Sequence, residues 1–362
     1  MSSEAAVLIV GGYGVVGSRI AAKLAPHHPG RVVIAGRHQH RANAAAASIG
    51  HGVRGRVLDV ASSRSIEAAL DDMGIVVSCV DDRDRRLLRA AVERGIQYTD
   101  ITPHLVELGS AGAYEQIRSA ARASGARVVL GAGLVPGISN VMVRAVARSL
   151  GGADTIQTAL LLAAGDASGP GSIEYLLREL SMSFPIHVDG AHRRVRALSD
   201  SREIEFPPPI GHRRAYLFPF SDQVLYPVTL HAHTVHSLLS LDPAWLAGLL
   251  RLLILTGATR ALARDPARRA IARVWRARAA REAEAAFALR VDVTRGNRSG
   301  CATLVGRGQA KATAAGAAAL VRSLLDGEVA EPGAWMPEQV IDPELFLSRV
   351  AESGLRVQFL VA

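Results

Sequence analysis

The chain has 362 residues, more than one typical domain holds, and its 49% hydrophobic and 21% charged residues exclude a disordered polypeptide and predict sizeable buried cores. The formal charge of +9 does not call for a nucleic-acid partner: of 42 basic residues only Lys23 and Lys311 are lysines, a bias of composition as much as of partner choice. Two cysteines, Cys79 and Cys301, lie far apart with no CxxC or Cys/His cluster, which argues against a disulfide framework and a structural zinc site.

The first predicted element is a buried strand at 6–10, carried by the apolar run Val7-Leu8-Ile9-Val10. The run stops at glycines and no basic stretch precedes it, so no signal peptide is read there and a cytoplasmic, reduced setting is expected. The loop Gly11-Gly12-Tyr13-Gly14-Val15-Val16-Gly17 then opens a helix, with Gly12, Gly14 and Gly17 at the GxGxxG spacing. In that pattern Gly12 permits the tight turn, Gly14 lets the backbone approach a pyrophosphate, and Gly17 lets the helix pack closely on the strand. The pyrophosphate rests on the helix N-terminus, where unpaired N–H groups and the positive dipole end favour an anion. Tyr13, Val15 and Val16 of the same loop are cofactor-contact candidates.

A second strand at 32–36 completes a βαβ unit. An acid at its end would accept from a ribose 2′-hydroxyl. This chain instead carries Arg37, followed by His38 and Arg41, and a guanidinium pairs bidentately with a 2′-phosphate. NADP(H) is therefore expected over NAD(H); the bland alternative has Arg37 stacked on the adenine or lying in solvent.

Strands at 54–58, 75–80, 97–101 and 127–132, separated by apolar-periodic helical segments, extend this unit into an α/β, doubly wound parallel sheet of Rossmann type. The ligand crevice of such a sheet lies outside the carboxyl ends of its strands, so those ends supply the candidates. Asp59, followed by Val60, either accepts from the adenine amino group or begins a helix. Cys79 and Val80 are placed beside the nicotinamide ribose. Asp81 and Asp82 serve either as a general acid or substrate-amine ligand, or as helix caps. The fifth strand leads into Asp100, Thr102 and His104, the sixth into Gly133 and Asn140; His104 is the favoured proton donor.

At this point the chain resembles a known family. The entry loop, Arg37, the Tyr98-Thr99-Asp100-Ile101-Thr102 segment and the crossover Gly131-Ala132-Gly133-Leu134-Val135-Pro136-Gly137-Ile138-Ser139-Asn140 together resemble the saccharopine dehydrogenase-like oxidoreductases. Ala312-Thr313 and Gly333-Ala334-Trp335-Met336-Pro337-Glu338 extend the likeness toward the C-terminus. The resemblance implies an NADP-binding Rossmann domain at 1–137 and an α+β domain at 138–330, whose mixed sheet covers the substrate and supports a homodimer. A segment at 331–362 would return to the first domain. It also implies hydride exchange between the nicotinamide and a C=N or C–N centre of a small molecule. A helical run in such proteins lies over the active site, which makes Glu174 and Tyr175 candidates for substrate contact. The chain departs from the pattern after strand four, where Val80-Asp81-Asp82-Arg83 replaces an Ala-Gly-Pro-Phe-like loop.

In the second half, Phe287 to Gly308 reads as a hairpin turning at Gly296-Asn297. His231 and His233 would share a strand face, but with no Cys or acid at ligand spacing no metal is expected. The apolar run Trp245 to Leu255 is too short for a spanning helix, and the segment Arg264 to Arg281 holds seven arginines. Two readings stay open for 245–281: core packing with a solvated face, or contact with a membrane surface or an acidic carrier. The expected function is reduction of an imine, opine-like, or carbonyl-derived centre of a small metabolite in specialised biosynthesis. Two alternatives stand beside it: a trans-acting enoyl reductase on a lipid or carrier-tethered substrate, and a non-catalytic NADP(H)-binding sensor.

Overall fold

The computed structural model describes residues 5–101, 112–163, 179–180, 183–256 and 285–361. By contact the chain divides into two units, Met1–Ile138 with Thr313–Val350, and Ser139–Ala312 with Ala351–Ala362.

The first unit is built on the strands β1 (Ala6–Val10), β2 (Val32–Gly36), β3 (Arg54–Val57), β4 (Met73–Ser78), β5 (Gln97–Asp100) and β6 (Arg127–Val129). Helices α1 (Val15–Leu24), α2 (Gln39–Ile49), α3 (Ser63–Leu70), α4 (Arg86–Glu93) and α5 (Ala113–Ser124) alternate with them. Val7 to Val10, Val32 to Ala35 and Ile75 to Val77 are all at most 1% exposed, which is why they read as unbroken apolar runs: a parallel strand covered on both faces has no polar side. A seventh strand, Gly333–Trp335, comes from the far end of the chain, and the order across the sheet places it beside β6, then β5, β4, β1, β2 and β3. All the pairings are parallel. From β1 the chain runs outward through β2 and β3, then returns to the other side of β1 for β4. The order therefore reverses between β1 and β4, and their carboxyl ends form the crevice.

Each helix offers the sheet an apolar stripe. In α1 this is Ile20, Ala21 and Leu24, and in α4 it is Leu87, Leu88, Ala91 and Val92. Four strands stop short of the sequence reading, β3 and β5 by one residue each and β4 and β6 by more. Strand β4 ends at Ser78, although the Cys79 N–H still donates to the Val10 carbonyl, and β6 ends at Val129, because the chain turns at Gly131 with φ +84°. The late strand is held by Tyr114, whose hydroxyl donates to the Ala334 carbonyl at 2.9 Å, and by Arg118, whose guanidinium lies 4.5 Å from the Trp335 ring centroid. Arg349, 8% exposed, donates to Ser323, Asp326 and Glu328 and ties together the C-terminal part of this unit.

The second unit is a mixed sheet. Its strands are β7 (Thr155–Ala163), β8 (Ser183–Val188), β9 (Ala191–Arg196), β10 (Ser201–Phe206), β11 (Gly211–Leu217), β12 (Thr234–Asp242), β13 (Ala286–Arg295), β14 (Arg298–Arg307) and a last strand, Val357–Val361. Pairing of β12 with β7 is parallel, and the remaining pairings are antiparallel. The predicted hairpin is present, with Arg295 opposite Arg298 and Gly296 at φ +56° in the turn. Phe287, Leu289, Val291 and Val293 are fully buried, whereas Arg290 and Asp292 between them keep about a quarter of their side chains exposed and pair with each other at 2.8 Å. The segment after 331 is thus divided: Gly333–Trp335 joins the parallel sheet and Val357–Val361 edges the mixed one.

Candidate cofactor site

The glycine loop at the end of β1 shows a division of labour the spacing alone did not give. The left-handed turn falls on Gly11, at φ +79°, one residue before the position expected to make it. The N–H groups of Gly11 and Gly12 both donate to the Ala35 carbonyl, at 2.8 and 3.1 Å, which binds the loop to β2. A Cβ on Gly12 would come within 2.7 Å of the Ile9 carbonyl and within 2.8 Å of Ile34 Cγ2, so Gly12 is a close-packing residue. Gly17 has the packing role expected of it: a Cβ there would meet the Gly11 carbonyl and lie 2.9 Å from Gly12 Cα. Gly14 is the N-cap of α1 and provides no capping side chain, and no acid occupies the first turn. Gly14 and Val15 are exposed and Val16 half-buried, so the open N–H groups of α1 face outward as an anion cradle that a side chain would fill.

Tyr13 crosses to the end of β2. A Cβ on Gly36 would be 2.6 Å from Tyr13 Cζ, so only glycine admits the ring, and the Arg41 guanidinium lies 5.0 Å from the ring centroid. Arg37 and His38 are exposed beside this stack, and the rings of His38 and His40 are 5.9 Å apart. Among the described residues Arg37 has neither a hydrogen-bond nor an ion-pair partner. An unpartnered guanidinium, a second one held on an aromatic ring, and the open helix end form a surface suited to a dinucleotide carrying an extra phosphate.

At the end of β3, Asp59 Oδ1 accepts from the Ala61 N–H at 3.0 Å, and the Asp59 N–H donates to Ser65 Oγ. The carboxylate therefore closes the turn into α3, and Val60 beside it is half-buried. Past β4, Cys79 and Val80 do meet the glycine loop: a Cβ on Gly11 would lie 2.9 Å from Val80 Cγ1 and 3.1 Å from the Cys79 carbonyl. Cys79 is half-buried, and burial, with help from Asp100, pushes its thiol up to about 12, away from the thiolate form.

The acid doublet separates into two local roles. Asp81 pairs with Arg83 at 3.1 Å, both side chains being more than half exposed. Asp82 accepts from the Arg86 N–H at 3.1 Å and the Leu87 N–H at 2.9 Å, capping α4 after Arg85 turns through φ +53°.

Asp100 is different. It is 9% exposed at the end of β5, Oδ1 accepts from the Gly131 N–H at 2.9 Å, and its own carbonyl accepts from the Ala132 N–H at 2.7 Å. Burial pushes its carboxyl up to about 7, with Asp82 adding to the rise, while the Gly131 N–H and Arg85 oppose it. Its protonated form is thus favoured up to the neighbourhood of neutral pH, and the side chain pins the start of the crossover. There the Gly133 N–H donates to the Pro136 carbonyl at 2.9 Å, and a Cβ on Gly133 would lie 3.4 Å from Thr313 Cγ2. Gly316 comes still closer, since a Cβ there would be 2.6 Å from the Gly133 carbonyl.

Asn140 belongs to the other unit, fully buried in the first turn of the helix Ile138–Leu150, where its Oδ1 accepts from Ser139 Oγ at 3.2 Å. Thr102, His104, Glu174, Tyr175 and the arginine-rich segment 264–281 lie outside the described residues. His231 and His233 do not share a strand face: β12 begins at Thr234, and His231 has φ +56°. Among the described residues no group of three or more His, Cys, Asp or Glu could hold a metal ion. Sequence reasoning missed Gly11, Gly36 and Gly316, whose importance lies in what approaches them; the double glycine at 11–12 was the one visible signal.

Residues 7–135 match the family model described as saccharopine dehydrogenase NADP binding domain. No curated protein sequence matches the chain. Among solved structures, saccharopine dehydrogenase (L-Glu forming) from Saccharomyces cerevisiae is 15% identical, with 99% of this chain and 100% of that one covered and a TM-score of 0.71. An NADPH-dependent quinone oxidoreductase of Escherichia coli is 20% identical over 44% of this chain and 56% of that one, with a TM-score of 0.28. The match to an NADP binding domain gives NADP(H) as the cofactor, and the open helix end and Arg37, unpartnered among the described residues, are compatible with it. Residues 7–135 thus match an NADP-binding domain of saccharopine dehydrogenase type, and the chain shares its fold with the yeast saccharopine dehydrogenase.

Proposed function

We propose that the protein is an NADPH-dependent oxidoreductase that reduces a C=N, opine-like, or carbonyl-derived centre of a small metabolite. The observation that carries this reading is the pairing of an NADP-binding domain of saccharopine dehydrogenase type with a mixed-sheet unit, over a chain length that matches a saccharopine dehydrogenase end to end.

When bound, NADPH supplies a hydride. The N–H groups at the start of α1 would hold the pyrophosphate, and Arg37 with Arg41 the 2′-phosphate. Gly11, Cys79 and Val80 form the floor at the ends of β1 and β4. Reduction also needs a proton, and among the described candidates Asp100 is the acid whose surroundings raise its carboxyl to about 7, so that a protonated fraction persists near neutral pH. It acts either as donor or as the group that positions the crossover through Gly131; His104 remains the other donor in this reading.

The test is NADPH consumption with mixed amine and 2-oxo acid pairs, set against unsaturated acyl thioesters. Turnover that requires both amine and oxo acid supports the reading. Turnover with the thioesters alone replaces it with an enoyl reductase on a tethered or lipid substrate, a reading favoured by the exposed apolar side chains Trp245, Leu249 and Leu252. Tight NADPH binding with neither activity leaves a sensor.

A further inference from the structure

The helix Trp245–Leu255 in the second unit has a long apolar sequence, WLAGLLRLLIL, yet only one side of it is buried, through Leu246, Ala247 and Leu250. The opposite side shows Trp245 at 66% exposure, Leu249 at 44% and Leu252 at 57%. These positions follow the i, i+4, i+7 spacing of a single helix face, and Gly248 between them is exposed as well. A helix on a water-soluble surface ordinarily turns charged or polar side chains outward. Here the helix carries one charge, the half-buried Arg251, which is not on the face of the stripe. Among the described residues this is the only helix in which more than one large exposed hydrophobic side chain lines one face.

What covers such a stripe is indicated by charge. From Arg260 to Arg281 the sequence that follows carries eight arginines against one acid, Asp265. A protein partner rich in acids would be met by cations on the contact face itself. A wholly apolar stripe that begins with a tryptophan, on a helix followed in sequence by an arginine-rich run, has the composition of an interfacial segment that meets both acyl chains and anionic headgroups. The helix has 11 residues, and no described helix is long and apolar enough to cross a membrane, so it would lie in the interface plane. We propose that the Trp245, Leu249 and Leu252 face inserts into the surface of a bilayer containing anionic phospholipid.

The experiment is co-sedimentation of the full chain with phosphatidylcholine vesicles, with and without phosphatidylglycerol, at low and high salt. Binding is expected to the anionic vesicles, weaker at high salt, and the L249E/L252E double variant should lose about tenfold or more, since two leucines that would enter the bilayer become charged. Its NADPH affinity and melting temperature, compared with wild type, report that it folds. Quenching of tryptophan emission by brominated phosphatidylcholine gives a second readout: it should be strong in wild type and fall sharply in W245F, which keeps an aromatic at the interface. No binding to anionic vesicles, binding undiminished in the folded double variant, or quenching unchanged in W245F would each overturn the proposal. Capture of an acidic protein without vesicle binding would overturn it too, in favour of protein docking.

Discussion

Replacing Arg37 by alanine tests the proposal that this side chain selects NADPH over NADH. In the folded chain Arg37 is exposed and has no partner among the described residues, so its loss should leave no buried acceptor unpaired and cost little stability. Its value appears only when a 2′-phosphate is present. A charge-assisted hydrogen bond contributes about 1.5–3 kcal/mol, and solvent exposure puts Arg37 at the lower end. Arg41, held 5.0 Å from the Tyr13 ring centroid, remains and recovers part of the attraction. A loss of about 1.5 kcal/mol corresponds to roughly tenfold weaker NADPH binding, while NADH, which lacks the phosphate, should change less than about twofold. Fluorescence titration of both nucleotides against wild type and Arg37→Ala measures this directly, and the NADPH deficit should shrink at high salt. Equal losses for the two nucleotides, or no loss for NADPH, would refute the assignment of Arg37 to the phosphate.

Three further outcomes are expected. Gly17→Ala drives a Cβ against the Gly11 carbonyl and should destabilise the fold by about 1–3 kcal/mol and weaken NADPH binding, read by thermal melting and by titration. Asp82→Ala removes the acceptor for two N–H groups of α4 and should cost about 1 kcal/mol in chemical denaturation; an unchanged midpoint would deny it the capping role. For Asp100 the folded carboxyl is raised to about 7, so below its unfolded value its contribution to stability is fully present, and it is lost as pH rises toward 7. Melting temperature measured across that range should fall with rising pH in wild type and fall less in Asp100→Asn; identical slopes would mean that the carboxyl does not titrate there.

Much of the parallel sheet was legible because its strands are buried on both faces and so leave apolar runs such as Val7 to Val10 and Ile75 to Val77. The seventh strand, Gly-Ala-Trp at 333–335, is too short to leave such a run and owes its place to Tyr114 and Arg118 on a distant helix. The site was legible as a set of residue types at strand ends. It was less so as geometry. Spacing cannot report that the positive φ belongs to Gly11, or that Tyr13 requires a glycine at 36, because both depend on which backbone approaches which. The doublet Asp81-Asp82 could be acid or cap, and only the position of the α4 N–H groups separates the two roles. Asp100 looked like its neighbours; its burial and its bond to Gly131, 31 residues on, set it apart.

The central claim is hydride delivery from NADPH to a carbon–nitrogen centre. Reaction with NADPH deuterated at the transferred position, in the presence of an amine and a 2-oxo acid, should place deuterium on the carbon that joins them in a secondary-amine product, with no NADPH consumed when either partner is omitted. Deuterium found instead at a reduced C=C bond of an acyl thioester, or no transfer at all from tightly bound NADPH, would contradict it.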